Sequence, residues 1–399
     1  MKHVSIVLLI VMVSLSSYAI GEEKEMAKES ESASFQPKPL GGDELEGVGE
    51  PNGKGTTMMW TIERIINFPK DRLWGQGYVH YGFHDRHGNR YSFDYFNNWI
   101  GKLGEGDAFL WTAGAKADVQ TGFHMNADFN GPIFLTEQPD GRLLVSCAGN
   151  ASLFELDPEA REARLFIDGR GLGMKDISSC ILDTYGHMWI SEITGCKIWC
   201  LDSDGQVILT IGDGQLGFQA ETVPMDQARF GWIYVMQRGP DGHLYILDST
   251  NYAVRRLNIK TQLVETLVGT GKPGYSGDGG DAKEATLGGD PNEQFDGPYG
   301  LRVDELGNLF IADTYNHVIR MVDKSTGVIS TIAGQHKSVP HKRNDPNETD
   351  PFRVNLPQAV ALDYFGDRLF IPEGEGDLIV LKKIKKIGVN LNRKPVKED

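Results

Sequence analysis

Residues 295–334 read FDGPYGLRVDELGNLFIADTYNHVIRMVDKSTGVISTIAG. The stretch divides into four short apolar runs, GLRVD, LFIAD, HVIRMVD and VISTIAG, each too short for a helix and each bounded by turn residues. Gly307-Asn308 separates the first two runs, Thr314-Tyr315-Asn316 the next two, and Ser325-Thr326-Gly327 the last two. Connections this short join neighbouring antiparallel strands. Four strands in about forty residues form one small meander, which needs further units of the same kind to cover its faces.

The chain contains them. Related patterns begin at Val79, Gly131, Asp176, Gly231 and Leu356, and their first-turn glycines are Gly88, Gly141, Gly186, Gly242, Gly307 and Gly366. The intervals between these glycines fit repeats of blade size with loop insertions. The copy from Leu356 stops after three strands, whereas TTMMWTIERII at 56–66 alternates apolar and polar residues ahead of the first copy. An N-terminal strand that completes the last unit closes the ring and removes two open sheet edges. The expected architecture is therefore all-β: a six-bladed β-propeller of four-stranded antiparallel blades over residues 56–384, closed by the N-terminal strand. The 48 glycines among 399 residues suit so many turns.

Residues 269–334 resemble the NHL-repeat family. GYSGDGG, followed by Ala282, precedes the blade; PYGL, DELGNLFIADTYNHVIR and GVISTIAG then follow in the family's order. The resemblance is close over this blade and its leading loop, looser over 175–268 and faint over 77–170. It implies a six-bladed propeller, in agreement with the strand count, but no single activity. The family includes protein-interaction modules and extracellular scaffold domains. The broadly similar gluconolactonase-type propellers include hydrolases and lyases.

Residues 1–21 read as a secretory signal peptide. Lys2 and His3 precede the apolar run VSIVLLIVMV at 4–13, and Ser17 and Ala19 have cleavage-site spacing. Retention of this segment as an anchor is the alternative; no other stretch is long and apolar enough to span a bilayer. Residues 22–55, with nine acids and four bases, read as an acidic disordered linker, and residues 385–399 as a basic C-terminal tail. Export permits disulfides, so Cys147, Cys180, Cys196 and Cys200 allow up to two bridges in three connectivities; a large apolar core predicts at most one. The formal net charge of −15 argues against a general nucleic-acid binder. These features predict a monomer in a secreted, periplasmic or extracellular setting, with an extracellular protein or carbohydrate as partner.

In this topology the second-to-third turns and the blade-to-blade crossovers share one face, which carries the insertions at 269–296 and 335–354. Insertions on one face mark a binding face. At the ends of the second strands on that face stand Asp94, Cys147, Glu192, Asp248, Asp313 and Glu373. Asp248 and Asp313, each followed three residues later by Asn, read as turn caps. Glu192 and Glu373 depart from the repeat. Together with Asp94 and Asp248 they are the candidate metal ligands, and oxygen donors of this kind suit calcium or another hard divalent cation such as magnesium. First-strand positions facing the central channel are His80, Ile133, Ser178, Ile233 or Tyr234, Tyr299 and Gln358; His80, Tyr299 and Gln358, with Asp313, are the candidate ligand-binding residues. The GYSGDGGDA segment reads as a crossover loop, since no lysine and helix follow it and EF-hand spacing is absent. No GxSxG elbow occurs. Two functions follow: a recognition module for protein or carbohydrate, or a divalent-metal-assisted hydrolase or lyase acting on a lactone or sugar-type substrate in the channel.

Overall fold

The computed structural model describes residues 57–67, 79–85, 87–104, 109–115, 122–289, 296–336, 344–354, 356, 359, 361–372 and 377–386. The expected signal peptide, linker and residues 387–399 of the expected tail lie outside the described residues. Thr61–Lys382 forms one compact unit. Met1–Trp60 with Lys383–Asp399 forms a second, of which only the strand ends at 57–60 and 383–386 are described.

All six first-turn glycines take positive φ, from +64° at Gly366 to +89° at Gly141, a conformation that side chains with a Cβ rarely adopt. An aspartate ahead of the glycine completes several of these turns. Asp304 Oδ1 accepts from the backbone N–H groups of Leu306 and Asn308, and Asp183 Oδ1 does the same for Tyr185 and His187. Local chemistry alone thus fixes the hairpins, and the hairpins fix the blades.

Six sheets result. Blade one holds Val79–His84, Arg90–Asp94, Trp99–Leu103 and Phe109–Gly114; blade two Pro132–Glu137, Leu143–Cys147, Ser152–Asp157 and Glu162–Asp168. Blade three holds Ser179–Leu182, Met188–Ser191, Ile198–Leu201 and Val207–Ile211; blade four Ile233–Arg238, Leu244–Asp248, Ala253–Asn258 and Leu263–Val268. Blade five is Gly300–Val303, Leu309–Asp313, Val318–Val322 and Ile329–Gly334. Blade six is Asp363–Phe365, Arg368–Pro372 and Asp377–Lys386, completed on its outer side by Thr57–Asn67. The N-terminal strand therefore closes the six-bladed propeller, as its alternating pattern predicts.

Two of the four-stranded antiparallel blades carry one further short strand. His124–Asn126 adds a fifth, parallel strand to blade one, and Val223–Pro224 adds a fifth, antiparallel strand to blade four. The first comes from the segment leading out of blade one into blade two, the second from the segment leading into blade four itself. Each covers an outer edge that would otherwise present unpaired N–H and C=O groups.

Apolar side chains pack between neighbouring blades. Trp111 of blade one, for instance, shares a cluster with Leu135, Val145 and Phe154 of blade two, and Leu301 and Ile311 of blade five meet Leu247 and Val254 of blade four. Stability is thereby spread around the ring in nearest-neighbour terms. The four cysteines are buried free thiols; loss of solvation pushes those of Cys147, Cys180 and Cys200 up to about 12. Among the described residues no helix is long and apolar enough to cross a membrane.

Candidate functional site

The second-to-third turns repeat one device. Asp94 Oδ1 accepts from Phe96 N and Asn97 N, while Oδ2 accepts from Asn97 Nδ2 at 2.8 Å. Asp248 and Asp313 do more, because each also reaches the crossover loop: Gly231 N donates to Asp248 at 2.7 Å and Gly288 N to Asp313 at 2.8 Å. The asparagine three residues on completes each cap, from Asn251 to both oxygens of Asp248 and from Asn316 to Asp313 at 3.0 Å. Burial pushes Asp248 up to about 6 and Asp313 up to about 7. All three carboxylates, which were metal or ligand candidates on sequence grounds, sit buried in their own turns.

In blade five the same turn anchors the GYSGDGG loop. Arg320, with no solvent exposure, donates to Thr286 O at 2.9 Å, Ser276 O at 2.8 Å and Asp278 Oδ1 at 2.7 Å, and its guanidinium lies over the Tyr275 ring. Asn316 Nδ2 adds bonds to Gly274 O at 2.9 Å and Gly288 O at 2.5 Å. The residues DTYNHVIR and the loop are therefore two halves of one polar lock.

Glu192 departs from the repeat for a reason the tertiary structure makes plain. Its Oε1 accepts from Lys175 N at 2.5 Å and its Oε2 from Trp199 Nε1 at 2.8 Å. Trp199 pairs with Ile190, as Arg255 pairs with Ile246 and Arg320 with Ile311, so an indole stands where blades four and five carry arginine. Gly195 stands where they carry Asn251 and Asn316; a Cβ there would lie 2.3–2.5 Å from the Glu192 carboxylate. Aspartate, asparagine and arginine have been exchanged together for glutamate, glycine and tryptophan, and the longer carboxylate fills the space of the missing asparagine. Glu192→Asp should cost about 1–3 kcal/mol, because the buried indole N–H loses its acceptor. Adding Gly195→Asn should recover part of that loss by restoring the aspartate–asparagine cap. Urea unfolding checks both; a single variant within about 0.5 kcal/mol of the parent would refute this account.

Glu373 and Gln358 lie outside the described residues. The His80 backbone pairs with Phe93, and its side chain is likewise outside them. Among the described residues no three His, Cys, Asp or Glu side chains converge in a way that could hold a metal ion.

Tyr299 is placed differently. Its ring packs on Tyr234 with centroids 4.4 Å apart and meets Tyr315 edge-on at 5.8 Å. A register shift between Ile233 and Val235 sets Tyr234, rather than Ile233, at the equivalent place in blade four. Tyr95, in the second-to-third turn of blade one, acts electrostatically on Tyr234 although blades one and four stand opposite each other in the ring. Its ring also covers Gly131, where a Cβ would come within 2.7 Å of it. Asp176, in the lead-in to blade three, acts on both Tyr95 and Tyr234.

Four tyrosines from three blades and one buried carboxylate thus gather where the second-to-third turns meet the channel. Burial holds all four of these groups that titrate with a resolved shift, the phenols of Tyr95, Tyr234 and Tyr299 and the Asp176 carboxyl, above their ordinary values. Asp176 itself is held by Thr194 N at 3.0 Å, Thr194 Oγ1 and Ile193 N. Of this group the sequence singles out Tyr299, with Ile233 or Tyr234 as its counterpart in blade four, but not Tyr95, Tyr315 or Asp176. The signal was present: Tyr95 directly follows a strand-end aspartate, and Tyr315 follows another by two residues.

No family model matches this chain. Over 92 residues it is 40% identical to Protein SUPPRESSOR OF QUENCHING 1, chloroplastic, of Arabidopsis thaliana, and over 90 residues 33% identical to NHL repeat-containing protein 2 of Homo sapiens. These stretches are 23% and 22% of this chain but only 8% and 11% of those proteins. Among solved structures, a Bacteroides thetaiotaomicron protein of unknown function superposes with a TM-score of 0.59 at 15% identity, over 83% of this chain and 77% of that one. An auxiliary nutrient binding protein of the same species gives 0.56 at 12% identity, over 82% and 77%. The match to NHL repeat-containing protein 2 supports an NHL-type repeat, and the fold is the six-bladed propeller.

Proposed function

We propose that this NHL-type six-bladed propeller is an exported binding module that takes a carbohydrate at the tyrosine-lined mouth of its channel. The observation that carries this reading is the convergence of Tyr95, Tyr234, Tyr299 and Tyr315 from three blades, next to Asp176. Phenol rings offer flat faces for the apolar side of a sugar ring, and their hydroxyls offer hydrogen bonds to its hydroxyls. The loops that form the mouth are held by the caps and the polar lock described above, so the site is organised before a ligand arrives. The auxiliary nutrient binding protein among the structural neighbours supports a binding role, and residues 1–21 support export.

The test is calorimetric titration of the purified chain with a panel of neutral and acidic oligosaccharides. At least one should bind with saturable heat. Tyr234→Ala and Tyr315→Ala should then weaken it by about tenfold or more, equivalent to 1.4 kcal/mol, while Tyr185→Ala, an exposed ring in the first turn of blade three, leaves affinity unchanged. Binding that survives both mouth substitutions would place the site elsewhere.

A further inference from the structure

The loop leading into blade four is a second copy of the loop leading into blade five. Residues 217–230, GFQAETVPMDQARF, align with residues 274–287, GYSGDGGDAKEATL, without a gap. Asn251 Nδ2 donates to Gly217 O at 2.7 Å, as Asn316 Nδ2 donates to Gly274 O at 2.9 Å. A parallel bridge joins Leu216 to Phe230, as another joins Pro273 to Leu287. Each loop contains a single helical turn, Met225–Gln227 or Ala282–Glu284. Beneath each lies an arginine with no solvent exposure, Arg255 or Arg320.

What meets the two guanidinium groups differs. Arg320 has two carbonyls and the Asp278 carboxylate. In blade four Phe218 stands for Tyr275, Gln219 for Ser276 and Glu221 for Asp278. The Gln219 carbonyl accepts instead from Thr266 Oγ1 at 3.1 Å, and its side chain bridges Gln227 O and Arg229 N within the loop. Ala220 and Thr222 occupy the places of Gly277 and Gly279, which take φ of +94° and +83°; neither replacement adopts positive φ. The chain turns another way there, and Glu221 is exposed. Arg255 retains Asp248 at 3.5 Å from Nη1 and the ring faces of Phe218 and Phe230, with centroids 5.5 Å and 6.0 Å away. Among the described residues its Nε and Nη2, both buried, meet no hydrogen-bond partner.

A guanidinium edge is a rigid two-donor fork shaped for an anion, and leaving it unmet in the interior is costly. In the sister blade Arg320 Nη2 meets a carboxylate and a carbonyl, while its Nε, like that of Arg255, meets no partner among the described residues. We infer that Arg255 binds a small monovalent anion, a halide or a one-carbon carboxylate, beneath the 217–230 loop, in the role that Asp278 plays for Arg320. This site is independent of the tyrosine mouth and of any sugar bound there.

Bromide is the direct probe. Crystals of the full chain soaked in sodium bromide should show an anomalous peak within hydrogen-bonding distance of Arg255 Nε and Nη2, with none at Arg320. In solution, millimolar sodium bromide or sodium formate should raise the melting temperature by about 2–4 °C over sodium gluconate at equal ionic strength, because an anion bound only to the folded state stabilises it by mass action. Arg255→Met should abolish that difference, whereas Glu221→Gln should leave it intact. Ordered bromide elsewhere but none at Arg255 would overturn the inference. So would a peak seen only at molar bromide without a millimolar response, which would mean an adventitious ion only. A response that persists in Arg255→Met would do the same, and a response absent from the unaltered chain but present in Glu221→Gln would show that the chain's own carboxylate serves the arginine. Should Arg255→Met fail to fold, the bromide map and the gluconate comparison on the unaltered chain decide the matter.

Discussion

A chain truncated to begin after Asn67 should lose cooperative unfolding, whereas one truncated to begin at residue 51 should keep the parent's melting temperature. The strand Thr57–Asn67 is the outer strand of blade six. Ile62 and Ile65 are buried, and Ile66 packs on the cluster that joins Trp99 and Phe109 of blade one to Phe370, Leu378 and Val380 of blade six. Glu63 forms a two-pronged pair with Arg368, Nε to Oε2 at 2.6 Å and Nη2 to Oε1 at 2.7 Å. That pair is largely exposed and contributes little beside the isoleucines. Removing one buried isoleucine costs about 2–5 kcal/mol, so removing several, with a whole ladder of backbone bonds, rivals the 5–15 kcal/mol that typically holds a domain folded.

The same seam carries a second tie. His84 Nδ1 of blade one lies 2.5 Å from Asp363 Oδ2 of blade six, with the ring against Phe365 and Phe370, and Arg302 of blade five reaches the other oxygen at 3.3 Å. These contacts cannot replace the missing strand, because they join inner strands and leave the outer edge of Asp377–Lys386 open. Differential scanning calorimetry decides: an unchanged transition in the longer truncation would show that the ring closes without its N-terminal strand.

The second large effect is at Arg320. Arg320→Met should destabilise the chain by about 3–5 kcal/mol, since it leaves two loop carbonyls and the Asp278 carboxylate without their donor. Asp278→Asn should cost less, because Asp278 is partly exposed and an amide oxygen still accepts from the guanidinium. The two substitutions together should cost less than their sum, as expected for partners in direct contact. Urea midpoints of the three variants at constant slope measure this. A loss under about 1 kcal/mol in Arg320→Met would show that the loop is held by something other than this lock.

These results also separate what is written locally from what is not. The turn glycines, the aspartates that cap the turns and the alternating N-terminal strand act within a few residues or through period-two patterning, so hairpins, blade number and ring closure can be read along the chain. So can the caps at Asp248 and Asp313, because aspartate and its asparagine lie three residues apart. Glu192 could not be understood in this way. Its departure looks like a ligand's until Gly195 and Trp199 are seen to have changed with it, and only pairing across strands brings the indole to the carboxylate. The tyrosine mouth is less local still. Tyr95, Asp176, Tyr234, Tyr299 and Tyr315 come from four blades, and a single register shift decides that Tyr234 takes the place beside Tyr299. Short-range sterics and hydrogen bonding determine the blades from sequence alone; which side chains share the channel depends on the ring's closure and on bulges whose positions no local pattern specifies.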